Sequence, residues 1–290
     1  MLPCCVITLT RTVRFSINHK SLRLSADAGG GGGVATSPVV QRDVNGYAGV
    51  PGMRGFGRYY EIDVVCSGEP DPASGYFKDI KELDRAVRRV AIPAIERACD
   101  DDETQSPALV MASWFGALDR ELDHSLDSVF WRLTPTYGLL MHATNLNAVR
   151  VRQRFELAAA HRLHVDSLSD EQNRALFGRC NNPSGHGHNY VVEPELEIAL
   201  DATRDGRFDL AAFERLVDDV ILRPFDHTNL NIDTPEFDTR RGGVNPSVEN
   251  IARVFFEKLS PAVRQMMGGW GALRSITVFE TEKTRATYAG

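Results

Sequence analysis

The sequence predicts an α+β fold made of two consecutive units, each an antiparallel four-stranded sheet with two helices on one face, in the order ββααββ. Two observations predict it. Each half contains segments with apolar residues at helical spacing, flanked by segments that alternate at strand spacing. The halves also repeat one another, because Tyr60 and Gly75 in the first are separated almost as Tyr190 and Gly206 are in the second.

The elements follow in the same order in both halves. In the second half, Ser247 is a plausible N-cap for the last helix, which we expect to end at Leu259 because Pro261 cannot continue it. The predicted strands and helices of this half are 155–160, 189–200, 208–217, 247–259, 273–281 and 285–288. Those of the first half are 60–66, 77–87, 107–122, 128–134 and 138–141.

The densest chemical pattern is Cys180-Asn-Asn-Pro-Ser-Gly-His186-Gly-His188. Side chains two positions apart in a strand point to the same face, so His186 and His188 aim together where the strand begins. His161 ends another predicted strand and completes a set of three imidazoles if the two strands are neighbours. Such a set is typical of zinc with an open fourth position. The alternative is one packed histidine and two in a loop.

Composition narrows the class of protein. A chain of 290 residues with 42% hydrophobic residues can form a proper core, and its net charge of -6 argues against a general nucleic-acid binder. The five cysteines are odd in number and scattered, which favours reduced thiols in a cytoplasm. We also expect no membrane association, because no apolar run reaches about 18 residues and the N-terminus lacks the features of a signal peptide.

Four separated motifs occur in an order that resembles the 6-pyruvoyltetrahydropterin synthase family, over residues 149–290. They are Ala160-His161-Arg162-Leu163, then Leu176-Phe-Gly-Arg-Cys180 with the pattern above, Asp226-His227-Thr-Asn229-Leu230, and Val278-Phe-Glu280-Thr281. The family also contains 6-carboxytetrahydropterin synthase of the queuosine pathway. The Asn-Asn-Pro spacing between Cys180 and the histidines is closer to the pyruvoyl branch.

The resemblance implies a fold, a reaction and an assembly. The unit is the T-fold, whose sheets close into barrels by oligomerisation, so we expect a homo-oligomer. The implied activity is a lyase with Zn²⁺ that eliminates triphosphate from 7,8-dihydroneopterin triphosphate and gives 6-pyruvoyl-5,6,7,8-tetrahydropterin. One alternative is formation of 6-carboxy-5,6,7,8-tetrahydropterin from the same substrate. A more remote one is a pterin-binding protein without catalysis.

The resemblance also implies roles for individual residues. Cys180 is the base that takes a carbon-bound proton, and Asp226 with His227 joins it as a proton relay, often from a neighbouring subunit. Glu280 pairs with the N–H edge of the pterin, and Glu249 is a second pterin contact. Structural alternatives remain open: an inert buried thiol, a turn or cap at Asp226, and an ordinary exposed carboxylate at Glu280.

The first half matches the pattern of elements but not the chemistry. Aligning the halves places Phe56 and Arg58 where the second half has His186 and His188, and Leu133 where it has Glu280. Only His19, near the position of His161, survives as a possible ligand. We therefore expect residues 1–146 to be a degenerate unit without a metal site and 147–290 to be the catalytic unit, unless the alignment is accidental.

Overall fold

The computed structural model describes residues 6–21, 46–101 and 104–290. The glycine-rich tract 29–33, which the composition predicts to be a flexible loop, lies outside the described residues, as do Cys4 and Cys5. The chain divides into two compact units, Met1–Val149 and Arg150–Gly290. Each contains an antiparallel sheet with helices, so the predicted α+β class is confirmed.

The first unit is a sheet of four strands in the order of the chain. Its strands are β1 (Ile7–Ile17), β2 (Arg58–Gly68), β3 (Leu126–Arg132) and β4 (Tyr137–His142), and each is antiparallel to the next. The helices α1 (Ile80–Asp101) and α2 (Pro107–Glu121) lie between β2 and β3 in the chain. Val13, Ile62 and Leu83 are completely buried, as expected where one face of a sheet is covered by helices.

The second unit is built around one long strand. Its strands are β5 (Asn145–Gln153, which contains the boundary between the units), β6 (Phe155–His161), β7 (His186–Ala199), β8 (Thr228–Asn229), β9 (Gly271–Thr281) and β10 (Thr284–Ala289). β7 is antiparallel to both β6 and β9, β10 pairs with β9, and β8 runs parallel to β6. The helices are α3 (Asp170–Phe177), α4 (Leu210–Val217) and α5 (Val248–Met267), with shorter helical turns between them.

Apolar residues at strand and helix spacing build the core of this unit. Ile276 and Val278 alternate along β9 and are completely buried, on the face that packs against α5. The helix contributes Ile251, Phe255 and Leu259, which lie four residues apart and are also completely buried. The sheet and its covering helix therefore form one hydrophobic layer. Glu280 lies near the C-terminal end of β9, at the edge of that layer.

The predicted end of the last helix at Leu259 is wrong. Ser247 does cap α5, but the helix passes through Pro261 and ends at Met267. A proline inside a helix costs about 3 kcal/mol relative to alanine. Pro261 is exposed, and the turn beyond it carries Val263 and Met267, which are completely buried. Burial of these two side chains offsets that cost and carries the helix past the proline.

We predict that Pro261→Ala raises the free energy of unfolding by about 2 kcal/mol. The substitution restores a backbone donor in the helix, worth about 3 kcal/mol, while the unfolded chain gains about 0.4–1 kcal/mol of conformational freedom. Urea denaturation followed by circular dichroism measures the difference. An unchanged or lower midpoint would contradict it. Ala262→Gly, which weakens the same turn of the helix, serves as the control and should lower the midpoint.

Candidate functional site

The register of β6 and β7 brings three imidazoles together. His161 is the last residue of β6 and lies opposite His186, the first residue of β7. His188 follows on the same face of β7, as the spacing of the two histidines predicts. The Nε2 atoms of His161 and His186 are 3.2 Å apart, and one ring nitrogen from each of the three histidines lies within 4.8 Å of the others. This cluster can hold a metal ion.

A backbone carbonyl determines which nitrogen of His161 faces the cluster. The ring is completely buried, and its Nδ1 lies 2.7 Å from the carbonyl oxygen of Pro246. Because a carbonyl oxygen can only accept, Nδ1 carries the proton and Nε2 presents a lone pair to the other two rings. Burial lowers the pKa of His161 to about 4, and burial also lowers the pKa of His188. At neutral pH these rings are uncharged, as metal binding requires.

The polar atoms left without partners fit a divalent ion. The Nε2 atom of His188 is buried and has no hydrogen-bond partner among the described residues. A buried ring nitrogen without a partner is costly, and most are satisfied by protein, water or metal. Three imidazole nitrogens form a donor set of the kind that catalytic zinc sites use. His161, His186 and His188 are therefore the residues that would hold the ion.

Cys180 lies on a short 3₁₀ turn, Gly178–Asn181, next to this cluster. Its carbonyl oxygen accepts a hydrogen bond of 2.8 Å from the backbone N–H of Leu163, two residues after His161. Burial and, second, the carboxylate of Glu280 raise the pKa of the Cys180 thiol. The side chains around it thus favour the protonated thiol, and a cation at the cluster would lower the pKa of Cys180.

Asn181 is a residue of the site that the sequence reasoning missed. The residue is 5% exposed, and its Nδ2 donates to the carbonyl oxygen of Leu163 at 2.7 Å and lies 3.0 Å from Nδ1 of His164. The backbone carbonyl oxygen of Asn181 accepts a hydrogen bond from Nε of Arg162 at 3.3 Å. These bonds fasten the turn that carries Cys180 to the segment that follows His161. The sequence shows that Asn181 follows Cys180 in the motif, but it does not show which backbone groups the side-chain amide of Asn181 contacts.

Two further asparagines, one in a short helical turn and one in a loop, fasten the same segment. Asn231 accepts from the backbone N–H of Arg162 at 2.7 Å and donates to its carbonyl oxygen at 3.0 Å. Asn245 accepts from the backbone N–H of His164 at 3.3 Å, and it precedes Pro246, whose carbonyl orients His161. Side-chain amides take the place of strand pairing where β6 ends, because such amides can donate and accept at once.

The pair Asp226 and His227 lies beside β6. Asp226 accepts from the backbone N–H of Ala158 at 2.8 Å, which is the main reason why its pKa is lowered, and its other oxygen lies 2.8 Å from Nδ1 of His227. The His227 side chain is 82% exposed, and its φ of 56° is a conformation that few non-glycine residues adopt. Within the part of the chain that the structure describes, neither residue is hydrogen-bonded to Cys180.

The two candidate pterin contacts are placed differently. Glu280 lies beside the imidazole cluster, with Oε1 3.7 Å from Nε2 of His161 and 3.6 Å from Nε2 of His188. Glu249 is exposed in the first turn of α5 and makes no hydrogen bond or ion pair with the described residues of the cluster. The structure therefore brings Glu280 to the three histidines and leaves Glu249 at the surface, so its role as a contact stays a prediction.

The first unit has a pocket at the corresponding end of its sheet. The pocket measures about 340 Å³, and its lining includes His19, Phe56 and Arg58. His19 is exposed and bonded at 2.8 Å to the hydroxyl of Ser21. Across the described ranges of this unit, no three histidine, cysteine or acidic side chains converge as a possible metal site.

The second unit, which contains the imidazole cluster, is similar to proteins of a known family. The family model described as 6-pyruvoyl tetrahydropterin synthase matches residues 150–290. The 6-pyruvoyl tetrahydrobiopterin synthase of Homo sapiens is 35% identical over 141 residues, 49% of this chain and 91% of the relative. That of Poecilia reticulata is 35% identical over 133 residues, 46% of this chain and 84% of the relative. The chain belongs to the 6-pyruvoyl tetrahydropterin synthase family.

A solved structure is similar to the same half. The 6-pyruvoyl tetrahydropterin synthase of Caenorhabditis elegans is 36% identical, with a TM-score of 0.43, and the match covers 49% of this chain and 96% of the other. The named relatives are synthases, so the family is one of enzymes. Among the described residues, no helix combines the length and the apolar character needed to cross a membrane.

We predict that the metal-free protein loses stability as the pH falls from 6.5 to 4, by about 3 kcal/mol through His161. The unfolded state takes up a proton near pH 6.5, whereas the folded state resists until about pH 4, where burial places the pKa of His161. Acid therefore favours unfolding across this window. Urea midpoints between pH 4 and 7 measure the slope. It should flatten in His161→Gln and persist in the exposed His124→Gln, and an equal slope in both would contradict the assignment.

Proposed function

We propose that the chain is a zinc-dependent 6-pyruvoyltetrahydropterin synthase, a lyase that eliminates triphosphate from 7,8-dihydroneopterin triphosphate to give 6-pyruvoyl-5,6,7,8-tetrahydropterin. The observation that carries the proposal is the set of three converging imidazoles, with Cys180 on the adjacent turn. Family membership supplies the substrate class, because the named relatives are 6-pyruvoyl tetrahydrobiopterin synthases.

The residues have separate tasks in this proposal. His161, His186 and His188 hold the ion, which when bound supplies Lewis acidity toward the hydroxyl groups of the substrate side chain. Cys180 takes the carbon-bound proton, for which a thiolate is required. Asp226 orients His227 through the 2.8 Å contact, as a carboxylate beside a relay imidazole does. The exposed position of His227 suits a proton exchanged with solvent or with another subunit.

We also propose that the first unit is a degenerate copy of the second, which supplies structure but no metal site. The strand registers support this. Tyr190 lies opposite Leu157, and Tyr60 occupies the same place in the first unit, opposite Phe15. Continuing the register of β1 and β2 by two residues places His19 opposite Phe56, where the second unit pairs His161 with His186. The aligned positions therefore keep one imidazole of three.

We predict that Cys180→Ala abolishes turnover of 7,8-dihydroneopterin triphosphate while the protein keeps its metal. The thiol is the proposed base, and the three imidazoles are untouched by the substitution. Metal analysis and chromatography of the products measure both quantities on the same sample. Cys99→Ala, at another half-buried thiol, is the matched control and should remain active. Unchanged turnover would reject Cys180 as the base, and release of a two-carbon fragment by the wild type would favour the carboxy branch.

We predict that the inactive variants Cys180→Ala and His227→Ala recover activity when they are expressed together. Recovery follows if Cys180 of one subunit works with His227 of another, since a mixed homo-oligomer then contains some intact sites. Activity of co-purified, differently tagged chains measures the effect. Mixing the separately purified homo-oligomers without exchange is the control and should give none. A monomer in light scattering, or co-purified mixed assemblies without activity, would contradict a shared site.

A further inference from the structure

The carboxylate of Glu280 faces the imidazole cluster without a cation to pair with. Its Oε1 lies 3.7 Å from Nε2 of His161 and 3.6 Å from Nε2 of His188, and the side chain is 17% exposed. Within the described ranges these histidines are the only basic side chains near the carboxylate, and no lysine or arginine lies within ion-pair distance. A carboxylate at this depth is costly unless it is paired or bound to a metal.

The hydrogen bond of His161 to Pro246 directs the other ring nitrogen of His161 at Glu280. His161 donates its Nδ1 proton to Pro246, so the atom that faces Glu280 is the lone pair on Nε2. A lone pair and a carboxylate oxygen at this distance repel one another. The Nε2 atom of His188, also directed at Glu280, is buried and finds no hydrogen-bond partner in the part of the chain that the structure describes. A positive ion between these atoms removes the repulsion and satisfies both groups.

Three of the ligand–ligand distances agree with one coordination sphere. Ligand bonds of about 2.0–2.2 Å in a tetrahedral zinc site imply separations of about 3.3–3.6 Å between ligand atoms. The separations here are 3.2 Å between His161 and His186, 3.7 Å between His161 and Glu280, and 3.6 Å between His188 and Glu280. Glu280 makes no such contact with His186 among the described residues, so the carboxylate approaches from the side of the other two rings.

We propose that Glu280 is the fourth ligand of the metal ion when no substrate is bound, which gives a site of three nitrogens and one oxygen. The carboxylate leaves this position when a hydroxyl oxygen of the substrate enters, a step that rests on the proposed function. Glu280 is next to the last residue of β9, where the chain turns toward β10, so its side chain can change rotamer without moving the core strand. It then becomes available to the bound pterin.

The test uses the full chain, stripped of metal by a chelator and reloaded with Co²⁺ as a spectroscopic probe. We expect the wild type to show the intense visible bands of four-coordinate Co²⁺ with one carboxylate. Glu280→Gln should shift these bands and weaken Co²⁺ binding by at least about tenfold, measured against a chromogenic chelator. Glu282→Gln removes an exposed carboxylate two residues further along and should match the wild type in both measurements.

The outcomes separate this proposal from the proposed function. If His188→Gln loses Co²⁺ while Glu280→Gln keeps the affinity and bands of the wild type, Glu280 is not a ligand and the metal site still stands. If the wild type binds no divalent ion, the proposed function fails. Glu280→Asp, which keeps the charge and shortens the reach, should also shift the bands and replaces Glu280→Gln if that variant does not fold. If addition of 7,8-dihydroneopterin leaves the Co²⁺ bands unchanged, the replacement of Glu280 by a substrate hydroxyl is wrong.

Discussion

The backbone of β6 and its continuation, residues 158–164, is the constraint on which the rest of the site depends. Ala158 bonds Asp226 through its N–H and also accepts the N–H of His227. Leu163 bonds the turn of Cys180 through its N–H and carbonyl groups. His161 lies between these two points. The proposed ligand, base and relay therefore all take their positions from seven consecutive residues, and a shift in the register of β6 would displace them together.

Burial acts in opposite directions on the two kinds of titratable group in the site. It keeps the imidazoles of His161 and His188 uncharged, which favours binding of a cation. It also raises the pKa of Cys180, as the Glu280 carboxylate does, which opposes formation of the thiolate. A bound cation reverses only the second effect, because positive charge stabilises the thiolate and offsets the carboxylate. In the proposed mechanism, binding of the metal ion and ionisation of the Cys180 thiol are thus coupled.

The sequence predicted those features that depend on local spacing. The two-residue interval between His186 and His188 implies a common face, and both lie on one face of β7. The alternation of Ile276 and Val278 likewise predicted β9. The contact of Glu280 with the histidines depends on the register between β9 and β7, which local spacing does not contain. The end of α5 was missed for a similar reason, because distant packing of Val263 and Met267 outweighs a local helix breaker.

The hydrogen bonds of the side-chain amides of Asn181 and Asn231 have a consequence for the lifetime of the protein. Asn181 and Asn231 each donate from Nδ2 to a backbone carbonyl, and Oδ1 of Asn231 also accepts from the backbone N–H of Arg162. Spontaneous deamidation of either residue would replace that donor with a negatively charged oxygen directed at a carbonyl oxygen. The two oxygens would repel one another, and the segments that the hydrogen bond holds together would separate. Ageing chemistry at an asparagine can in this way inactivate the site while every proposed ligand and proton carrier stays chemically intact.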